Sequence, residues 1–130
     1  MKLLMDTHML IWAAAGTLPE EARALAVDND NEIYFSPASI WEVGIKNSLG
    51  RKDFEVDPTL LRRTLLDHLY EELPITSLHV LATCDLPAIH KDPFGRMILA
   101  QAKSEGIALV TSDGLMKKYR VPIIFIPRKP

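Results

Sequence analysis

Short, continuous apolar runs separated by long stretches of helical periodicity constrain this chain more than any other feature. Lys2–Asp6 (KLLMD), Glu32–Phe35 (EIYF) and Ile107–Thr111 (IALVT) are each about one strand long and carry little polar alternation. Strands of that kind are buried on both faces, which requires a parallel sheet covered by helices on each side. The alternation of strand and helix therefore predicts an α/β fold with three α/β/α layers and a mostly parallel central sheet. Leu73–Thr76 and Ile123–Ile126 are the remaining strand candidates. The pattern does not fix strand order.

The helix boundaries are written in capping chemistry. Ser36-Pro37, Asp57-Pro58 and Asp92-Pro93 each place a capping side chain before a proline. The side chain accepts an orphan amide, and proline at the first helical position has no N–H to lose. The first of these helices is expected to run to about Leu49, the second to about Glu72 and the third to Glu105, before Gly106. Thr7 to about Gly16, Pro19–Val27, Ser77–Cys84 and a short basic Gly114–Tyr119 complete the helical set.

At 130 residues the chain is expected to form one domain, 1–130. Its 15 Lys and Arg against 17 Asp and Glu give a net charge of -2, which excludes a protein that coats nucleic acid by bulk charge. The single cysteine, Cys84, cannot form an internal disulfide and is read as a small core residue. Trp12 and Trp41 are read as packing residues. No run approaches the ~18 apolar residues of a membrane span, so the expectation is a soluble, cytoplasmic protein without a membrane partner.

In parallel sheets ligands gather at the carboxyl ends of the strands. Asp6 closes the first strand there, Asp113 follows IALVT, and Asp92 caps a helix that should start at the same edge. Glu42 lies in an apolar helix among Ile40, Trp41, Val43 and Ile45. Carboxylates brought together repel one another unless a cation compensates, and a hard divalent ion is the natural partner. Such a site suits metal-dependent phosphoryl transfer or hydrolysis. Each acid also has a purely structural explanation. Asp6 and Asp92 can be helix caps, Asp113-Gly114 a turn, and Glu42 with Lys46 an (i, i+4) pair. The four histidines and Cys84 show no zinc spacing.

Four ordered segments, LLMDTHMLIW, SPASIWEVGIKNSLGR, LPAIHKDPFGRMILAQA and IALVTSD, resemble the PIN-domain ribonuclease toxins of VapC type. The resemblance implies a small PIN-like α/β/α domain acting as a Mg²⁺- or Mn²⁺-dependent endoribonuclease. It also implies a homodimer, inhibited by a cognate antitoxin. The family's acids match Asp6, Glu42 and Asp113, with Thr7 and Thr111 as supporting residues. Asp6, Glu42, Asp92 and Asp113 would then hold the metal, and Lys46 and Arg96 could contact phosphate. A water activated for in-line attack would cleave the RNA.

The family's third acid usually stands where this chain has Gly95, in Asp92-Pro93-Phe94-Gly95. Three readings follow. Asp92, one turn earlier, takes over coordination; the chain is a weakened or inactive nuclease acting mainly as an antitoxin-binding module; or Gly95 is a degenerate change. In the binding-module reading, the apolar helices Met9–Ala15 and Ala22–Val27 form the partner surface. A receiver-type phosphoacceptor also clusters acids at strand ends, but Asp6 has no acidic neighbour and the second strand ends in Tyr34-Phe35-Ser36.

Overall fold

The computed structural model describes residues 1–128. Five strands, β1 (Lys2–Met5), β2 (Glu32–Phe35), β3 (Glu71–Glu72), β4 (Ala108–Thr111) and β5 (Ile123–Phe125), form one sheet in the order β3-β2-β1-β4-β5. All four pairings are parallel, with Leu4 opposite Tyr34 on one side and Leu109 on the other. Among the described residues six α-helices connect the first four strands in pairs, α1 (Thr7–Ala15), α2 (Glu20–Val27), α3 (Pro37–Ser48), α4 (Pro58–Asp67), α5 (Ser77–Cys84) and α6 (Pro93–Glu105), and 3-10 turns lie at Lys52–Phe54 and Gly114–Lys118. None is long and apolar enough among the described residues to cross a membrane.

The strand pleat sends alternate side chains to opposite faces, and each face builds its own core. Leu3, Met5, Ile33, Phe35 and Val110 pack with Met9, Leu10 and Ala13 of α1, Ala22 of α2 and Leu61 and Leu65 of α4. Leu4 and Leu109 pack on the other face with Ile98, Leu99 and Ala102 of α6 and with Met116 and Tyr119. Helix α3 serves both, giving Val43 to the first cluster and Ala38 to the second. The apolar faces of α1 and α2 are thus largely spent on the core.

The three cap-proline helix starts form as expected, with the side chains of Ser36, Asp57 and Asp92 accepting from Ala38, Leu60 and Phe94 amides. Gly106 ends α6 in the left-handed region at φ 65, where a side chain would be strained.

The end of α4 differs from the sequence expectation. The helix stops at Asp67 rather than near Glu72, and β3 is Glu71–Glu72 rather than Leu73–Thr76. Leu69 adopts φ 66, Tyr70 N donates to Leu65 O and Leu69 N donates to Leu66 O. These are the two bonds of a Schellman termination, built here without the glycine that usually announces one. The turn releases the chain to pair Tyr34 and Phe35 with Glu71 and Glu72.

Two further expectations are corrected. Cys84 is exposed, at the last residue of α5, where His79 is the buried position. Trp41 is 65% exposed and meets Phe94 edge-on with ring centroids 5.1 Å apart, instead of entering the core.

Candidate active site

The sheet order reverses direction between β1 and β4: the chain proceeds outward from β1 to β3, then crosses back to β4 and β5. This switch point leaves a crevice at the carboxyl ends of the two strands, the usual ligand position in open parallel sheets. Asp6 follows β1 directly, and Ser112 and Asp113 follow β4. One pocket there is lined by Asp6, Glu42, Asp92 and Asp113, together with Thr7, Lys46, His8, His90 and Gly95.

Three of the acids cap a helical segment and serve the pocket at once. Asp6 Oδ1 accepts from Met9 N at 3.0 Å, Asp92 Oδ1 from Phe94 N at 3.1 Å and Asp113 Oδ1 from Leu115 N at 2.9 Å. Each bond uses one oxygen and leaves Oδ2 for another partner. The structural and functional explanations of these residues are therefore compatible. The capped N-termini also favour negative charge at the positions where it gathers.

Thr111, fully buried, joins two of these acids. Its hydroxyl donates to Asp6 Oδ2 at 2.5 Å and accepts from Asp113 N at 3.0 Å. Thr7 holds Glu42 alone, donating to Oε1 at 2.5 Å while its Oγ1 stands 3.0 Å from Ser39 Oγ. Lys46 donates to Glu42 Oε2 at 2.5 Å. Glu42 is only 5% exposed, so this (i, i+4) pair is part of a pocket wall and differs from an ordinary solvated surface pair. Burial pushes the Asp6 carboxyl above the usual carboxylate range, and the Asp113 charge adds to the rise. The Thr111 hydroxyl, the Met9 amide and His8 oppose it.

Asp92 lies beside the glycine. A Cβ at Gly95 would meet Asp92 Oδ2 at 3.4 Å, His90 Nε2 at 3.7 Å and the Met116 methyl at 3.1 Å. Asp92 Oδ2 thus stands next to the position from which an acid at residue 95 would project. Arg96 is not brought into this pocket. Its guanidinium donates to Pro87 O at 2.9 Å, Thr83 O at 2.6 Å and Leu86 O at 3.1 Å, tying the end of α5 to α6.

Sequence reasoning missed His8 and His90. Nothing in the spacing of the four histidines marks them, although His90 stands two residues before the Asp92 cap. Among the described residues, no three His, Cys, Asp or Glu side chains stand close enough together to hold a metal ion by themselves. The donor chemistry still fits a hard cation, because Asp6, Asp92 and Asp113 bring carboxylate oxygens to one pocket and Mg²⁺ typically needs only one or two plus water.

Fold and pocket define a class: a parallel α/β/α domain whose switch point is lined with hydrogen-bonded carboxylates. The chain belongs to the PIN domain family, whose model matches residues 3–122. No curated protein matches it by sequence. In solved structures its fold resembles a chain of VapBC2 from Rickettsia felis bound to a promoter DNA fragment, at 17% identity and TM-score 0.69. It also resembles a chain of DNA-bound VapBC from Salmonella typhimurium, at 18% identity and TM-score 0.69, and one of VapBC-1 from nontypeable Haemophilus influenzae, at 16% and 0.63. Each match covers 96% of this chain and 98% of the other.

Proposed function

We propose that this chain is the nuclease toxin of a VapBC-like pair, a divalent-metal-dependent endoribonuclease held in check by an antitoxin protein. The observation that carries the reading is the convergence of Asp6, Glu42, Asp92 and Asp113 on one pocket at the β1/β4 switch point. The likeness to chains of VapBC complexes supports the partner assignment. The reading takes residues 1–130 as one PIN-like domain working as a homodimer in the cytoplasm.

Asp6, Glu42, Asp92 and Asp113 would surround Mg²⁺ or Mn²⁺, one or two of them binding the ion directly and the others through water. When bound, the cation supplies an acidified water and a counter-charge for the phosphodiester. The protein's part is positional. Thr111 fixes the Asp6 carboxylate and the Asp113 backbone, and Thr7 fixes Glu42. Lys46 offsets the Glu42 charge and gives the pocket a cation for a phosphate oxygen. Asp92 Oδ2 supplies an oxygen beside Gly95, where the resemblance expects a further acid. Arg96, engaged with three carbonyls, is withdrawn as a phosphate contact.

The binding-module alternative is disfavoured by this upkeep. A chain serving only to bind a partner has no need for buried carboxylates that cost desolvation. The test is Mg²⁺-dependent cleavage of total RNA by the purified chain and by Asp6→Ala and Asp92→Ala. Cleavage by the wild type and its loss in Asp6→Ala support the reading; an Asp6→Ala chain retaining most activity overturns the site.

A further inference from the structure

The loop between α5 and α6 delivers His90 into the acidic pocket, where its ring is only 13% exposed. Its backbone N donates to the Tyr119 hydroxyl at 2.7 Å, and that hydroxyl donates to Pro87 O at 3.0 Å. Tyr119 is buried in the core, so the loop hangs from a fixed point.

The ring has two partners of opposite kind. Nδ1 lies 3.1 Å from the Asp92 backbone N, and Nε2 lies 2.8 Å from Asp113 Oδ2. A backbone amide can only donate, so Nδ1 accepts and carries no proton. Nε2 then carries the proton and donates it to the carboxylate. One neutral tautomer satisfies both contacts, with the assignment following from the partners.

We infer that His90 is a positioning residue for the proposed metal site: it fixes the Asp113 carboxylate and ties it to the Asp92 cap. This rests on the functional reading above. The two hydrogen bonds extend the chain begun at Thr111, so that Asp92, His90, Asp113, Thr111 and Asp6 form one connected series. The ring borders the pocket wall at residue 95, where a Cβ would meet Nε2 at 3.7 Å, an ordinary contact. Groups that orient metal-binding carboxylates through hydrogen bonds are worth about 10–100-fold in affinity or activity.

The test compares His90→Ala, His90→Gln and His90→Asn with the wild type, measuring Mn²⁺ affinity by calorimetry, kcat and KM for RNA cleavage, and thermal melting. Glutamine can place an amide donor near the Nε2 position. Asparagine can place an acceptor near Nδ1 but cannot reach Asp113. Positioning therefore expects His90→Ala and His90→Asn to lose about tenfold or more in Mn²⁺ affinity. Their kcat should fall with KM little changed, and His90→Gln should recover much of both. A loop pin alone expects the reverse, with Asn preserved and Gln impaired, and that order overturns the inference. Wild-type Mn²⁺ affinity and kcat in both Ala and Asn also overturn it, leaving the nuclease reading intact. A wild-type chain that neither binds Mn²⁺ nor cleaves RNA defeats the functional reading, and the inference with it. If His90→Ala fails to fold, the Gln and Asn pair carries the comparison.

Discussion

Thr111 Oγ1 lies 2.5 Å from Asp6 Oδ2, joining two residues 105 positions apart in sequence at the ends of adjacent parallel strands. The same hydroxyl accepts the Asp113 amide, so one buried side chain organises both acids. Thr111→Val keeps the volume and removes the hydroxyl, stranding a carboxylate oxygen and an amide. The loss of a hydrogen bond to a charged group should cost about 1.5–3 kcal/mol. Denaturant midpoints should show that drop, and Thr111→Ser should recover most of it.

Burial raises the Asp6 carboxyl above its ordinary pKa of 3.8, so over the interval above that value the folded chain holds a proton that the unfolded chain has released. Stability from this group is present in full below the ordinary value and is lost as pH rises through the elevated one. Asp6→Asn removes the penalty and keeps a competent helix cap. Its melting temperature should match the wild type in acid and exceed it near neutrality. RNA cleavage should be abolished. Added Mg²⁺ should raise the wild-type melting point and leave the variant unmoved; equal responses would argue against a cation at Asp6.

Asp92 Oδ2 and the open position at Gly95 make a paired experiment. Asp92→Ala should cut cleavage as severely as Asp6→Ala, at a cost of about 1 kcal/mol for the lost cap. Gly95→Asp should increase Mn²⁺ affinity or activity, since the obstructing atom at 3.1 Å is the flexible methyl end of Met116. Activities equal to the wild type in both variants would show that Asp92 does not supply the missing acid.

Arg96 binds three carbonyls at the α5 end, so its removal should affect folding rather than RNA. Arg96→Ala should lose about 1–3 kcal/mol. The salt dependence of RNA binding, which counts phosphate contacts, should not change. Arg96→Lys should not rescue stability, because an ammonium cannot span the three acceptors.

Leu69 is 85% exposed and holds a left-handed conformation at φ 66. That conformation costs a non-glycine residue about 1–2 kcal/mol, while glycine forfeits about 0.5–1 in unfolded-chain entropy. Leu69→Gly should therefore stabilise the chain by several tenths of a kcal/mol, measurable as a higher urea midpoint with unchanged slope.

The helix starts were legible because caps and prolines act within four residues, and Ser36, Asp57 and Asp92 all cap as read. The end of α4 was hidden because Leu69 occupies a position where glycine normally gives the signal. Asp6 and Asp113 could be placed by their strand ends, and Glu42 by its apolar helix. Arg96 was misplaced because local sequence cannot say which way a long side chain turns when backbone carbonyls compete for it.

By itself, the sequence determined the parallel α/β architecture, since apolar strands alternating with helices bury both faces of a sheet between helical layers. It also determined which acids stand at strand and helix ends. Only the tertiary structure decided that they meet. The order β3-β2-β1-β4-β5 sets β4 beside β1, bringing Thr111 to Asp6 and Asp113 to His90. Hydrophobic periodicity records which face of an element is buried and nothing about its neighbour, so strand adjacency arises only when the whole core packs.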